Sequence, residues 1–296
     1  MYSVIRIGSR ESALAVRQAE MIKERIEKEA PGVKAEIMTM KTTGDQILDQ
    51  SLEKIGGKGL FVKELDRALM EGKIDLAVHS LKDVPMEVRE ELPILGYSRR
   101  EDPRDVLLIR KTLEELPSSP VIGTSSRRRM LQMEALYPGC TFRGIRGNIQ
   151  TRMHKLETGG YDGTLLAAAG LKRMGLEQVI YRYFSVEEMI PAAGQGILAI
   201  QGRRGENYAW MERLDCPQSR AAALAERQFI RAAEGGCTSP SAAHARVLGN
   251  ELRLSALYYE EKTGTYEKGT VCADAARAAQ AGEELARELM RRVQAG

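Results

Sequence analysis

One cysteine in this chain has a setting that suits covalent chemistry. Cys237 follows two glycines in the run Glu234-Gly235-Gly236-Cys237 and has no partner cysteine in a recognisable spacing. Two glycines remove side chains from the approach to the sulfur, so a bulky group has room to reach it. Because thiol reactivity depends on exposure and thiolate character, this cysteine is a candidate attachment site. The alternative is a small apolar residue that closes a helix at a glycine-rich end.

Three turns share one pattern, in which a strand ends, small polar residues follow and arginines stand near the start of a helix. They are Gly8-Ser9-Arg10-Glu11-Ser12, Gly123-Thr124-Ser125-Ser126-Arg127-Arg128-Arg129 and Arg146-Gly147-Asn148-Ile149-Gln150-Thr151-Arg152. In an open α/β sheet, such turns lie at the carboxyl ends of strands, where ligands bind. Helix N-termini favour anions, and arginine matches a carboxylate with two parallel hydrogen bonds. Three such turns around one cleft predict a ligand with several carboxylates or phosphates; the alternative is solvated basic surface.

A carboxylate follows another predicted strand. Asp83 stands in the run His79-Ser80-Leu81-Lys82-Asp83-Val84-Pro85, directly after the strand predicted at 74–78. In a basic cleft this carboxylate stays ionised, and it can then stabilise a cation or carry a proton. The alternative is an aspartate in an ordinary turn before a proline.

A glycine-rich loop precedes a helix predicted from Leu60. The run Lys54-Ile55-Gly56-Gly57-Lys58-Gly59-Leu60-Phe61 lacks the Ser or Thr and the earlier glycine of a phosphate-binding P-loop. A mobile basic lid over an anionic ligand and a flexible surface loop both fit this composition. Gly194-Gln195-Gly196 comes before a predicted strand and opens no helix, which excludes a dinucleotide fingerprint.

Composition narrows the function classes. The 296 residues predict two or three domains, and a net charge of +3 with 5% aromatic residues argues against nucleic-acid binding. The longest apolar runs are too short for a transmembrane helix, and the first residues lack the features of a secretory signal, so we expect a cytoplasmic protein. Four cysteines without CxxC pairs and three histidines predict reduced thiols and no metal site.

Strand and helix signals alternate through the first two thirds of the chain. The predicted strands are 3–7, 33–42, 74–78, 106–109, 121–123, 141–145, 164–168 and 197–201, and the helices between them include 12–30, 126–137 and 148–158. This alternation predicts parallel sheets with helices on both faces. The remainder predicts a small α+β domain with an antiparallel sheet, with helices at 219–233 and the C-terminus and strands at 243–248, 252–259 and 268–272.

In their order along the chain, these segments resemble the hydroxymethylbilane synthase family, also called porphobilinogen deaminase. Further matching stretches are Gly56 to Leu65, Arg100-Glu101-Asp102-Pro103-Arg104-Asp105 and Pro191-Ala192-Ala193-Gly194-Gln195-Gly196. The resemblance implies an α/β fold in which two similar domains, like type II periplasmic binding proteins, have mixed sheets flanked by helices. A small α+β C-terminal domain completes it. The implied domain limits are 1–98 with 195–216, 99–194 and 217–296.

The resemblance also implies a reaction. A transferase of tetrapyrrole and heme biosynthesis would join four porphobilinogen molecules head to tail, release ammonia and yield linear hydroxymethylbilane. Its cofactor would be a dipyrromethane, made from two porphobilinogens and linked by a thioether to Cys237. The substrate is a small molecule, with no nucleic-acid or membrane partner, and the implied enzyme is a cytoplasmic monomer.

Residue roles follow from the matching positions. Asp83 matches the catalytic carboxylate, which would stabilise the cationic azafulvene left when ammonia departs. The carboxylate binders would be Arg10, Lys82, Arg128, Arg129, Arg146, Arg152 and Arg173, with hydrogen bonds from Ser12, Thr124, Ser126 and Gln195. Lys54, Lys58 and Phe61 would belong to a mobile loop over the site.

Three departures from the family pattern stand out. Arg127 replaces a usually apolar residue, Thr238-Ser239-Pro240-Ser241 is more polar than the usual run, and Gln50-Ser51 replaces a proline-containing segment. Two other functions remain open from the residues alone. A non-catalytic two-lobed receptor for polyanions would share the alternating blocks, and a nucleic-acid binder would show strongly salt-dependent affinity.

Overall fold

The computed structural model describes residues 4–42, 62–206, 208–233 and 239–295, and within these ranges the chain forms three sheets. The first sheet has the order β2-β1-β3-β10-β4. Its strands are β1 (Val4–Arg10), β2 (Lys34–Met40), β3 (Leu76–Ser80), β4 (Ile94–Tyr97) and β10 (Leu198–Gly202). With helices α1 (Ala13–Glu29), α2 (Lys63–Met70) and α6 (Met211–Leu214), this sheet forms what we call the first lobe.

The second lobe is built on a sheet of order β7-β6-β8-β5-β9. Its strands are β5 (Asp105–Ile109), β6 (Val121–Gly123), β7 (Thr141–Arg143), β8 (Gly163–Ala167) and β9 (Arg182–Tyr183). Its helices are α3 (Arg127–Leu136), α4 (Ile149–Thr158) and α5 (Ala168–Arg173). Short 3-10 turns lie at Leu81–Asp83, Glu177–Val179 and Ala275–Arg277.

The two sheets have the same strand order and the same orientations. In each, three strands run parallel and the fourth in order is antiparallel to both of its neighbours, namely β10 in the first lobe and β5 in the second. The expectation of parallel sheets is therefore confirmed for three strands of each sheet and wrong for β10 and β5, because the chain enters these two strands from the opposite lobe at the crossings 98–104 and 191–197. The mixed sheets implied by the family resemblance are confirmed.

Apolar side chains cover both faces of each sheet. In the first lobe, alternate residues of β1, Ile5 and Ile7, pack against Ile22 and Ile26 of α1, while Leu65 and its neighbours on α2 cover the other face. The second lobe likewise has one apolar cluster on each face. Two-sided burial explains the apolar runs at the centre of each sheet, such as Val106 to Ile109 in β5 and Leu198 to Ile200 in β10.

The third domain consists of an antiparallel sheet covered by two helices. Its elements are β11 (Ala242–Leu248), β12 (Glu251–Tyr259), β13 (Tyr266–Asp274), α7 (Pro217–Ala232) and α8 (Ala278–Ala295). Phe229, Leu285 and Leu289 from the two helices pack on Leu252 and Leu254 of β12. This confirms the small α+β unit expected at the C-terminus. No described helix has the length and hydropathy required to cross a membrane.

Candidate active site

The first basic turn lies where β1 runs into α1. Arg10 is the last residue of β1, and the Ser12 hydroxyl accepts a hydrogen bond from the Ala15 amide at 3.3 Å. Ser12 therefore caps α1 as predicted, because its oxygen satisfies an N–H group that has no partner within the helix. On the neighbouring strand β3, burial lowers the pKa of His79 to about 4. The positive charge of Arg10 lowers this pKa further by a smaller amount.

Asp83 lies at the end of the neighbouring strand, β3, which leads directly into the 3-10 turn Leu81–Asp83. Leu81 is fully buried, and its amide donates to the Ile197 carbonyl at 3.0 Å. The anchored leucine leaves Asp83 exposed, while Lys82 is half-buried and its ammonium donates to Gln195 Oε1 at 3.2 Å.

Cationic groups from both lobes lie close enough to Asp83 to interact with its charge. Its charge acts on Lys82 of the first lobe and on Arg129 and Arg152 of the second. Burial lowers the pKa of Lys82 to about 8, with Asp83 opposing the shift and Arg129 adding to it. Burial likewise lowers the pKa of Arg152 to about 10, with a smaller contribution from Arg129. Both groups remain largely charged at neutral pH, so they favour an anion placed beside them.

The third basic turn gathers like charges. Asn148 accepts a hydrogen bond from the Thr151 amide at 2.9 Å, which confirms it as the cap of α4. Arg152, on this helix, donates through Nε to the Gly147 carbonyl at 2.9 Å. The positive charges of Arg129 and Arg146 repel its guanidinium group. Guanidinium groups that lie together despite this mutual repulsion are well placed to bind an anion.

In the second basic turn, the arginines are buried. Arg128 and Arg129 are only 5% and 6% exposed, and each forms a 2.7 Å ion pair with Asp105. Sequence reasoning missed Asp105 as a functional residue. The available signal was its position at the start of an apolar strand, because a fully buried carboxylate requires partners. Beside this pair, Thr124 Oγ1 accepts from the Ser126 amide at 3.2 Å.

Arg127, the departure from the family pattern, joins the second lobe to the third domain. Its two terminal nitrogens lie 2.7 Å from the two carboxylate oxygens of Glu261, and its guanidinium carbon lies 5.6 Å from the centre of the Tyr259 ring. Leu131, on the same helix, packs in an apolar cluster with Ile190 and three residues of the third domain, Ala242, Leu257 and Tyr259. The extra charge therefore contributes to contact between these two units.

We predict a small coupling free energy between Arg127 and Glu261. The two side chains are 37% and 52% exposed, so solvent screening should limit the coupling to about 0.5 kcal/mol. A double-mutant cycle with Arg127→Ala and Glu261→Ala, read by urea unfolding at low and high salt, measures it. Strictly additive effects would show that the pair contributes nothing. A cycle on Arg17 and Glu24, an exposed pair within α1, is the matched comparison.

Arg173 and Gln195 lie at the second crossing between the lobes. Arg173 ends α5 and donates through Nη2 to the Gly196 carbonyl at 2.6 Å, and burial lowers its pKa to about 10. Its Nε is buried without a hydrogen-bond partner in the part of the chain that the structure describes. Gln195 is buried and, besides accepting from Lys82, donates to the Pro103 carbonyl at 2.7 Å.

Glu226 holds the third domain against both crossings. This buried carboxylate accepts from the Gly194 amide and the Ala245 amide, each at 2.7 Å. It also pairs with Arg100 of the first crossing at 2.7 Å. The domain that carries Cys237 in its sequence is therefore fixed to the segments that connect the two lobes.

Several predicted residues lie outside the described ranges, namely Lys54, Lys58, Phe61 and Cys237, together with Gln50-Ser51 and Thr238 among the departures. Of the described part of the polar run, Ser241 accepts through its hydroxyl from the Tyr259 amide at 3.1 Å. That polar residue is thus used to hold β12. The described residues contain no group of three His, Cys, Asp or Glu side chains arranged to hold a metal ion.

Two α/β lobes of the same strand order, with cationic side chains of both lobes acted on by the charge of an exposed carboxylate, define a two-lobed α/β protein with a basic site. Comparison with known proteins identifies the family. The family model described as "Porphobilinogen deaminase, dipyromethane cofactor binding domain" matches residues 5–210, and "Porphobilinogen deaminase, C-terminal domain" matches residues 221–291. The chain belongs to the porphobilinogen deaminase family.

Individual relatives agree along nearly the whole chain. Porphobilinogen deaminase of Acetivibrio thermocellus is 49% identical over 97% of this chain and 98% of its own length. That of Ruminiclostridium josui is also 49% identical, over 96% and 97%. Among solved structures, the periplasmic aliphatic sulphonate binding protein from Escherichia coli covers 79% of this chain and 71% of its own, with 12% identity and a TM-score of 0.41. That likeness supports no further conclusion.

Proposed function

We propose that this protein is a transferase that joins four porphobilinogen molecules head to tail, releases ammonia and yields linear hydroxymethylbilane for tetrapyrrole and heme biosynthesis. Membership of the porphobilinogen deaminase family supports the proposal. The observation that carries it is an exposed aspartate, Asp83, among cationic groups from both lobes. Such a site suits a reaction in which positive charge develops on a substrate rich in carboxylates.

Basic side chains bind the substrate and the growing chain. Each porphobilinogen is a single pyrrole that carries an acetate and a propionate, so a product of four such units is a polycarboxylate. Guanidinium forks match these carboxylates with paired hydrogen bonds, whereas the ammonium of Lys82 acts as a compact point charge. The proposed binders are Arg10, Lys82, Arg128, Arg129, Arg146, Arg152 and Arg173.

Four uncharged side chains complete the proposed site. Ser12 uses its oxygen to cap α1, which leaves its O–H available to donate to a ligand. Thr124 and Ser126 stand beside the two buried arginines and offer hydroxyl groups at the same strand end. Gln195 acts on Lys82, since its amide oxygen accepts from the lysine ammonium.

Asp83 performs the proposed chemistry at the reacting substrate. As an ionised carboxylate it stabilises the cation that forms when porphobilinogen loses ammonia, and this stabilisation lowers the barrier to that step. The same group can take the proton that leaves the attacked pyrrole carbon and, once it holds that proton, give it to the amine that departs in the next addition.

The implied cofactor is a dipyrromethane linked through sulfur to Cys237, and when bound it supplies the pyrrole carbon to which the first substrate unit is joined. The chemistry of the described donors fits such a group, because two pyrroles bring four carboxylates. The unused buried Nε of Arg173 is one donor that such an acceptor would satisfy. Arg128, Arg129, Arg146 and Arg152 supply further matching donors.

The proposal extends to the remaining assignments. Lys54, Lys58 and Phe61 would close over the ligand, and the domains would comprise residues 1–98 with 195–216, 99–194 and 217–296. We also propose a monomer that acts in the cytoplasm, without nucleic-acid or membrane partners.

A direct assay tests the function. Purified protein incubated with porphobilinogen should release one ammonia for each porphobilinogen consumed and produce linear hydroxymethylbilane. A polyanion receptor would bind porphobilinogen and leave it unchanged. A nucleic-acid binder would instead show affinity for DNA or RNA that falls steeply with salt. Either of these results without turnover would overturn the proposal.

A further inference from the structure

Asp105 is a fully buried carboxylate at the first position of β5. Its Oδ2 accepts from Arg128 Nη1 at 2.7 Å, and its Oδ1 accepts from Arg129 Nε at 2.9 Å and Nη2 at 2.7 Å. Burial alone would raise the pKa of this carboxyl. The charges and hydrogen bonds of the two flanking arginines outweigh that effect and hold the pKa well below its ordinary range. Asp105 therefore remains charged wherever the protein is folded at neutral pH.

The two guanidinium groups are also fixed from a second side. Arg128 Nη1 donates to the Ile190 carbonyl at 2.8 Å, and Arg129 Nη1 donates to the Leu165 carbonyl at 2.8 Å. Arg128 makes both of its bonds through Nη1, whereas Arg129 uses Nε and Nη2 for the carboxylate and Nη1 for the carbonyl, so each group is held by more than one acceptor. Without Asp105, two adjacent buried cations would face each other uncompensated.

The network continues across the crossing to the first lobe. Gln195 Nε2 lies 3.2 Å from Asp105 Oδ1, and Gln195 Oε1 accepts from Lys82 Nζ at 3.2 Å. Lys82 is the neighbour of Asp83 in the turn after β3. One buried carboxylate thus connects the arginines of the second lobe with the lysine beside the proposed catalytic aspartate.

We propose that Asp105 is a positioning residue that holds Arg128, Arg129 and, through Gln195, Lys82 in one fixed arrangement around the carboxylates of the substrate. This inference rests on the proposed function. Asp105 does not act on the substrate itself, because its oxygens are buried and occupied by donors from three side chains. Its effect is to hold the cationic side chains in place before the substrate binds. Each binding event then avoids the free-energy cost of ordering them.

The charge of Asp105 also acts on Lys82. The charged groups that act on this ammonium are Asp83 on its own turn, Asp105 on β5, and Arg128 and Arg129 on α3. The carboxylates raise the pKa of Lys82, and the arginines lower it. Removing the charge of Asp105 leaves Asp83 as the one remaining carboxylate of this group to oppose the two arginines, so the pKa of Lys82 should fall below its native value of about 8.

The first test compares Asp105→Asn with Asp75→Asn. Asp75 is the matched control because it is a buried carboxylate that pairs with two arginines, Arg6 and Arg203, at the opposite end of β3 from Asp83. We expect Asp105→Asn to raise the KM for porphobilinogen about tenfold or more, with a smaller change in kcat. The alkaline limb of kcat/KM should move to lower pH. Asp75→Asn should lower stability without either kinetic change.

A second measurement does not depend on turnover. The pH dependence of Lys82 acetylation by acetic anhydride, read by peptide mass spectrometry, reports the pKa of its amine. It should be lower in Asp105→Asn than in the wild type and unchanged in Asp75→Asn. A wild type that labels in this way but does not consume porphobilinogen would overturn the proposed function while preserving the arrangement around Lys82.

Gln195→Met keeps the test usable where Asp105→Asn fails to fold. This variant removes the link between Asp105 and Lys82 and leaves the arginine pairs in place. We expect the acetylation profile and the alkaline limb to move in the same direction by a smaller amount. Unchanged KM, pH profile and labelling in the folded variants would overturn the positioning role.

Discussion

Replacing Asp83 by asparagine should reduce turnover of porphobilinogen by about a hundred- to ten-thousand-fold. Asparagine keeps the size of the side chain but removes the charge that stabilises the cation and the group that carries protons. Since the basic side chains that bind carboxylates remain, the KM should change much less than kcat. Steady-state release of ammonia measures both parameters.

Glu87→Gln is the matched control for Asp83→Asn. Glu87 is another exposed carboxylate in the segment that follows β3, and neutralising it should leave turnover within about twofold, as expected for a surface substitution. Intact mass should show that Asp83→Asn retains its covalent adduct. Near-normal turnover in this variant would mean that a different group stabilises the cation.

Replacing Cys237 by serine should abolish both the covalent adduct and turnover. A serine hydroxyl ionises far less readily than a thiol, so it does not replace a cysteine thiolate as a nucleophile. Without attachment, the primer that accepts the first porphobilinogen is absent. Mass spectrometry of the intact protein and the ammonia assay together measure the two losses.

Cys272→Ser is the control for the attachment site. Cys272 is an exposed cysteine on β13, and its replacement should leave the adduct mass and the rate unchanged. An adduct that survives in Cys237→Ser and disappears in another cysteine variant would place the attachment elsewhere. An adduct that survives every cysteine replacement would rule out a thioether.

Local chemistry made much of the framework predictable. Ser12 and Asn148 cap α1 and α4 because their side-chain oxygens accept from backbone amides within the first helical turn. The strands predicted at 106–109 and 121–123 lie within a residue of β5 and β6. Such features depend on neighbours in sequence, and a single sequence contains them.

Features set by distant partners were harder to predict. β9 is only two residues long and β4 only four, and both were missed because the strand opposite, more than local propensity, stabilises such short pieces. The antiparallel direction of β5 and β10 follows from the path of the chain between lobes. The pattern of apolar and polar residues within a strand does not indicate in which direction its neighbours run.

The buried arginines show the same limit at the site itself. The sequence places Arg128 and Arg129 near a helix start, but their common partner Asp105 is 23 or 24 positions away. Likewise, the ion-pair partner of Arg127 is Glu261, which lies 134 positions away along the chain. Tertiary contacts decide which cationic side chains have partners within the protein and which are left to face a ligand.

Intact-protein mass spectrometry, with and without porphobilinogen, tests the central claim most directly. The purified protein should exceed the mass of its sequence by two linked pyrroles, and brief exposure to limiting porphobilinogen should add further steps of one pyrrole unit each, up to four. Cys237→Ser should show neither. A wild-type protein that turns over porphobilinogen while its mass equals that of the bare chain would contradict the claim.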